Sequence, residues 1–340
     1  GSSASKVYDG KPLAAKAASA AVPTQDALII EYSLDGENWT TDPGSLSATD
    51  VADSATVQLR ASSPGNYEGY VYGSQQLSVT KRAVSLKSES ASKVFDGTAL
   101  TRPEVAGWKQ LGDEGFVDGQ VSDVRATGSA THVSDGKVAN AIAYTEGEGF
   151  NADNYAISKD EGVLSVTAKQ IAAADMTVQA PADVVYSGKA QQQKPVVKDG
   201  DKALAEGVDY ELTYSGNATD AGTVTVTVTG KGDYAGSVDV AYQITPAPLT
   251  VVTESANKVY DGKPLIAGGK VDGLVNGETV ELKLVGSQIK VGSSDNAYKI
   301  EWNGTAKRAN YRLEAESIGK LTVTESADEV VVTTTGGTFA

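Results

Sequence analysis

Lys6-Val7-Tyr8-Asp9-Gly10 returns along the chain as Lys93-Val94-Phe95-Asp96-Gly97, Val184-Val185-Tyr186-Ser187-Gly188 and Lys258-Val259-Tyr260-Asp261-Gly262. A second marker trails each copy, in Asn66-Tyr67, Asn154-Tyr155, Asp233-Tyr234 and Asn310-Tyr311. A third closes it, in Leu77-Ser78-Val79-Thr80, Leu164-Ser165-Val166-Thr167, Tyr242-Gln243-Ile244-Thr245 and Leu321-Thr322-Val323-Thr324. Apolar and polar residues alternate through these closing segments, which is the period of a strand with one face in a core and the other in water. Three markers recurring in the same order define a repeat, and the 340 residues divide into four units of about 85.

The closing threonines lie 87, 78 and 79 residues apart and are followed by short joints such as Lys81-Arg82 and Pro246-Ala247-Pro248. Cutting there gives repeats at 1–82, 83–169, 170–247 and 248–326. The interval from closing Thr to the next motif aromatic is 15, 19 and 15 residues. On that ruler 327–340, with Glu329-Val330-Val331-Val332-Thr333-Thr334-Thr335, reads as the start of a truncated fifth repeat or a linker. Repeat one begins almost at its motif and lacks the lead-in strand seen at Ala83-Val84-Ser85-Leu86 and Leu249-Thr250-Val251-Val252. Repeats one and three share an Asn/Asp-Tyr-x-Gly corner, in Asn66-Tyr67-Glu68-Gly69 and Asp233-Tyr234-Ala235-Gly236, that two and four lack, so the order is A-B-A-B.

Thr223-Val224-Thr225-Val226-Thr227-Val228-Thr229 is the strongest single strand signal, seven β-branched residues in strict alternation. Asp35-Gly36, Asp199-Gly200 and Asn276-Gly277 are turn dipeptides, because Gly accepts the positive φ such turns need. No window supports an amphipathic helix of ten residues, and the alanine-rich stretch 14–21 reads as strand and loop. The expected fold is all-β: four small tandem domains, Ig-like or β-grasp-like sandwiches, in an elongated array of roughly 35 Å per unit. Domains this small bury only a little over 60% of their unfolded surface, so each is expected to be modestly stable and to owe little to its neighbours.

Composition narrows function. With 29 Lys and Arg against 44 Asp and Glu the net charge is −15, which repels nucleic-acid backbones and anionic lipid and argues for a soluble monomer. No run approaches 18 apolar residues, so membrane insertion is not expected. Cysteine is absent and His132 is the only histidine, which removes disulfides, thiolate chemistry and nearly all imidazole chemistry. A glycosidase needs two carboxylates across a cleft, and no cleft signal is present. The chain is expected not to be an enzyme and to hold no cofactor.

The motif residues Tyr8, Asp9, Gly10, Phe95, Asp96, Gly97, Tyr186, Gly188, Tyr260, Asp261 and Gly262 read as an aromatic packed into the sheet followed by an Asx-Gly turn. Calcium held by these carboxylates is the sharper alternative, although no EF-hand spacing appears. Tyr67, Tyr155, Tyr234 and Tyr311 read as tyrosine corners, each sending its hydroxyl back to the backbone. Trp39 with Tyr32 is the best candidate for a stacking platform for sugar.

Lys-Val-Tyr-Asp-Gly-Lys-Pro-Leu, which stands at 6–13 and again at 258–265, together with the Asn-Tyr and Leu-Thr-Val-Thr markers, resembles the Tyr-Asp-Gly (YDG and MBG type) repeats of Gram-positive bacterial surface adhesins. The resemblance covers essentially the whole chain. It implies an extracellular, cell-wall-attached protein whose repeats form a non-catalytic stalk that projects a distal binding domain. Partners are then neighbouring repeats, and alternatively host glycan, mucin or matrix protein. Repeat three departs from the pattern, with Ser187 for the Asp and no Lys before Val184.

Overall fold

The computed structural model describes residues 2–21, 27–63, 65, 68–216, 218–327 and 336. The chain divides into two compact units, Gly1–Lys169 and Gln170–Ala340, each carrying one A and one B repeat. The described residues hold strands and short 3-10 turns and no α-helix. The stretch from 14 to 21 is a strand end at Leu13–Ala14 followed by irregular chain.

In the A repeat of the first unit, four strands lie in the order Ala4–Val7, Val71–Thr80, Ala55–Ser62, Ile29–Ser33. The corresponding sheet of the second unit runs Val184–Val185, Ser237–Thr245, Gly222–Gly230, Tyr210–Tyr214. The alternating Thr-Val run is its central strand: Val224, Val226 and Val228 are at most 4% exposed, while the intervening threonines face outward. Each such buried side chain contributes about 1.5–3 kcal/mol of transfer energy.

The B repeats are built from shorter sheets. Their lead-in strands, Arg82–Ser88 and Ala247–Thr253, run parallel to Tyr155–Asp160 and Tyr311–Ser317. Val84, Leu86, Leu249 and Val251 on these lead-ins are essentially fully buried, because a period-two strand between two neighbours turns one whole side into the core. A feature common to all four repeats is a parallel pairing of motif strand with closing strand, as Ala4 with Leu77, Ala91 with Leu164, Val184 with Ile244 and Ala256 with Leu321.

The expectation that repeats owe little to their neighbours is overturned within each unit. One continuous core joins Ala4, Tyr8, Val57 and Leu77 of repeat one to Leu86, Phe116, Ile142 and Tyr155 of repeat two. A second joins Tyr186, Val226 and Tyr242 of repeat three to Leu249, Ala306 and Tyr311 of repeat four. The physical reason is that the motif aromatic ends its strand at the edge of the A repeat, where burial needs a surface from the B repeat.

Candidate functional site: tyrosine joints between paired repeats

The motif strand of each A repeat delivers its tyrosine to the A–B boundary, fixed by a backbone bond from Tyr8 N to Thr80 O (2.9 Å) and from Tyr186 N to Thr245 O (2.8 Å). There each ring meets the corner tyrosine of the B repeat edge to face, Tyr8 with Tyr155 at 5.4 Å between centroids and Tyr186 with Tyr311 at 5.5 Å. Edge-to-face geometry places the positive ring edge on the negative ring face. Phe116 and Phe150 complete the first cluster around Tyr155, and Trp302 stacks on Tyr311 in the second.

The hydroxyls converge on one side chain in each joint. Gln120 donates through Nε2 to the Tyr8 hydroxyl (2.9 Å) and accepts at Oε1 from that of Tyr155 (2.5 Å). In the second unit the Glu278 carboxylate accepts from both, from Tyr186 at 2.5 Å and from Tyr311 at 2.7 Å. The corner hydroxyls also receive a backbone amide, Val117 N at 3.1 Å and Val275 N at 3.2 Å. Burial first, and then the Glu278 carboxylate, push the Tyr186 pKa up to about 12. Burial likewise raises Tyr155 and Tyr311.

The corner asparagine makes the second clasp. Asn154 is 1% exposed, accepts from Val51 N (2.9 Å) and donates to Asp50 (2.8 Å) across the boundary. Asn310 repeats this with Ala221 N (2.8 Å) and Asp220 (2.9 Å). The joints differ at the lead-in residue paired with the corner tyrosine. In the first unit Arg82 is 1% exposed, its guanidinium donating to four backbone carbonyls, those of Tyr8, Gly112, Glu114 and Gly115. In the second that position is Ala247.

The other motif aromatics show what the joint does. Phe95 is 6% exposed and stacks on His132 at 5.8 Å, whereas Tyr260 is 47% exposed. Tyr260 sits on the same motif strand and turn as the rest, so the sheet alone does not bury the ring, contrary to the sequence reading. Asp9, Asp96 and Asp261 form a local clip: each carboxylate takes the motif lysine three residues back, Lys6 or Lys93 at 2.5 Å or Lys258 at 2.6 Å, and a backbone amide two residues on. The Lys258 ammonium holds Asp261 below the usual carboxylate range, and the Lys93 ammonium does the same to Asp96. Repeat three lacks both partners together, Lys and Asp, so no half-clip is left behind. Among the described residues no group of three His, Cys, Asp or Glu is placed to hold a metal ion.

Tyr32 does not join Trp39 in a platform. Its ring is 3% exposed and its hydroxyl accepts from Ala18 N at 2.7 Å. Trp39 belongs instead to a ledge on the outer face of the same sheet. The Arg60 guanidinium lies 4.2 Å from the Trp39 ring and 4.5 Å from Tyr70, bonded to Glu31 at 2.6 Å. Tyr72, 70% exposed, stands cross-strand to Arg60 and 6.2 Å from Tyr70. Tyr70-Val71-Tyr72 carries the signal for this, since residues two apart on a strand share a face. Gln120 and Glu278 had a signal too: Val117-Asp118-Gly119-Gln120 and Val275-Asn276-Gly277-Glu278 are one turn pattern recurring in the two B repeats. Tyr234 is 3% exposed and bonds Asp199 at 3.0 Å, and Tyr67 lies outside the described residues.

No family model matches the chain, and no curated protein matches it. Similar solved structures include immunoglobulin domains 1–5 of Sidekick-1, at 14% identity over 96% of this chain and 80% of that one, with a TM-score of 0.24. The insect immune protein hemolin matches at 11% identity over 95% and 97% of the two chains with a TM-score of 0.19. The protocadherin GammaB4 extracellular domain matches at 13% over 80% and 55%, TM-score 0.20. At such scores the likeness assigns neither fold family nor function.

Proposed function

We propose that this chain is a non-catalytic spacer from an extracellular, wall-attached bacterial adhesin, whose working element is the A–B pair and not the single repeat, and which holds a distal binding domain away from the cell. The observation that carries this reading is the joint: aromatic, buried and hydrogen-bonded in both units, it couples two small domains that would otherwise move independently. Pulling the chain from its ends tests it. Two unfolding events are expected, each releasing about 560 Å of chain at roughly 3.3 Å per residue, one for each compact unit. Four events of about 280 Å would show that repeats unfold singly and would remove the support for a paired spacer.

A second reading, adhesion by repeat one to host glycan, mucin or matrix protein, is favoured by the exposed Tyr70 and Tyr72 beside Arg60. Saturable binding on a panel of glycans and matrix proteins, abolished by Tyr72→Ala, would establish it in place of the spacer.

A further inference from the structure

Repeats two and four carry the same cleft between two strand edges, but its backbone groups are capped differently. In repeat two the hairpin of Val121–Ala126 and Ile142–Glu146 faces the outer edge of Tyr155–Asp160. Thr127 N bonds Ala141 O (2.9 Å), and antiparallel bonds alternate, so Ile142 turns its N–H and C=O out of the hairpin. Both are met from across the cleft: the Ile142 N–H donates to Glu161 Oε1, and its C=O accepts from Lys159 Nζ, each at 2.8 Å. A charged residue of either sign thus closes the edge.

In repeat four the hairpin of Glu281–Leu284 and Tyr298–Glu301 faces the outer edge of Tyr311–Ser317. Tyr298 stands 12 residues before the corner asparagine Asn310, as Ile142 does before Asn154. Val285 N bonds Ala297 O (2.8 Å), so Tyr298, and Ile300 two residues on, turn their N–H and C=O to the cleft. Both caps have changed. Thr253 accepts from Gly319 N as Ser88 accepts from Gly162 N, which sets Ile318 in the place of Glu161 and Glu316 in that of Lys159. Glu316 takes the Tyr298 hydroxyl instead, at 2.7 Å, and among the described residues no side chain bonds the Tyr298 backbone.

The result is an open trough of about 780 Å³, with Trp302, Leu313 (50% exposed) and Ile318 (41% exposed) in its walls. Backbone donors and acceptors along an edge, with apolar side chains beside them, are what an extended peptide needs: main-chain partners for affinity and pockets for alternate side chains. Charge selects among peptides. Lys299, Arg308 and Arg312 line the trough against Glu301 and Glu316, and Glu316 is already engaged by Tyr298. Among the described residues neither Lys299 nor Arg308 has an ion-pair partner, in a chain whose net charge is −15. We propose that this trough binds an extended acidic segment of a partner protein, which adds as a strand to the Tyr298–Glu301 edge.

Fluorescence anisotropy of a labelled Glu-Val-Glu-Val-Glu-Val peptide with the full chain tests this, at physiological salt to screen the chain's overall acidic charge. Saturable binding of one peptide per chain is expected, weakened about tenfold by Arg308→Ala, which removes a charged partner. The decisive variant installs the caps of repeat two, Glu316→Lys together with Ile318→Glu. Both side chains are exposed, so the fold is expected to stand, with slow amide exchange at Val275 as its check, and binding is expected to vanish. A peptide N-methylated at every residue keeps its charges but cannot donate to a strand edge, and is expected not to bind. No saturable binding up to millimolar peptide overturns the proposal, as does binding that survives the two substitutions or the N-methylation. Heparin held in the trough while the peptide is not would also overturn it, since the site would then read charge and not backbone.

Discussion

Tyr8 meets Tyr155 in the first unit and Tyr186 meets Tyr311 in the second with the same 81° between ring planes, yet an amide sits between the hydroxyls in one and a carboxylate in the other. A buried arginine fills the space beside the first joint, and alanine stands at its place in the second. Gln120 both donates and accepts, so the first joint is neutral at its centre and takes its charge from Arg82, which is spread over four carbonyls. Glu278 only accepts, so the second joint puts its charge at the centre, where the two phenols share it. The common frame shows that the joint is set by ring packing and the corner asparagine. The polar residues between the rings are interchangeable within the limit that every hydroxyl must find a partner.

The largest break in this comparison is expected from Arg82→Ala. It strands carbonyls in a dry site and opens a cavity, at a cost of about 3 kcal/mol, and slow amide exchange at Val117 should be lost while Val275 in the other unit stays protected. Gly188→Ala comes next. An added Cβ would sit 2.5 Å from that of Asn276, at φ +70°. Gly262, at φ +76°, has nothing within 4 Å. The expected losses are about 3 kcal/mol at Gly188, where contact adds to backbone strain, and about 1 kcal/mol at Gly262, from the strain alone. Denaturant melts followed by Trp302 fluorescence would read both.

Alkaline titration sharpens the difference in charge. Tyr186 titrates near 10.0 when free and about 12 in the fold, so its contribution is full below pH 10 and is lost as the pH climbs through 12. The second unit is expected to lose stability over this window more steeply than the first, because each phenolate formed there faces Glu278. Glu278→Gln should flatten that slope towards the first unit's while changing stability at neutral pH by less than about 1 kcal/mol. The smallest effect is expected from the clip. Lys93→Ala removes one partner of the Lys93–Asp96 pair, whose carboxylate lies in solvent, and a thermal melt of the chain should move by no more than a few degrees.

Much of this architecture was open to reading because recurrence exposes it. The motif, corner and closing strand locate the sheets, and the Thr-Val run at 223–229 announces which face is buried. The joints were hidden because their partners are far apart in sequence, Gln120 lying 112 residues from Tyr8 and Asn154 lying 104 from Asp50. Alternation also misled at Tyr32, which lies in a promising aromatic hairpin but faces inward, opposite to its neighbour Glu31. Arg82 looked like part of a polar linker, and only the carbonyls converging on it from the loop 112–115 make it an interior residue.

The parallel pairing of motif strand and closing strand has a mechanical consequence. Tension applied between the start of a motif strand and the end of its closing strand shears the pair, so its bonds share the load instead of opening one at a time. Three repeats clamp themselves over four paired residues, but repeat three has only Val184 and Val185 against Ile244 and Thr245, and it has no lysine–aspartate clip beside them. Of the four motif–closing pairs, that of repeat three is therefore expected to shear first, so that the second unit yields before the first.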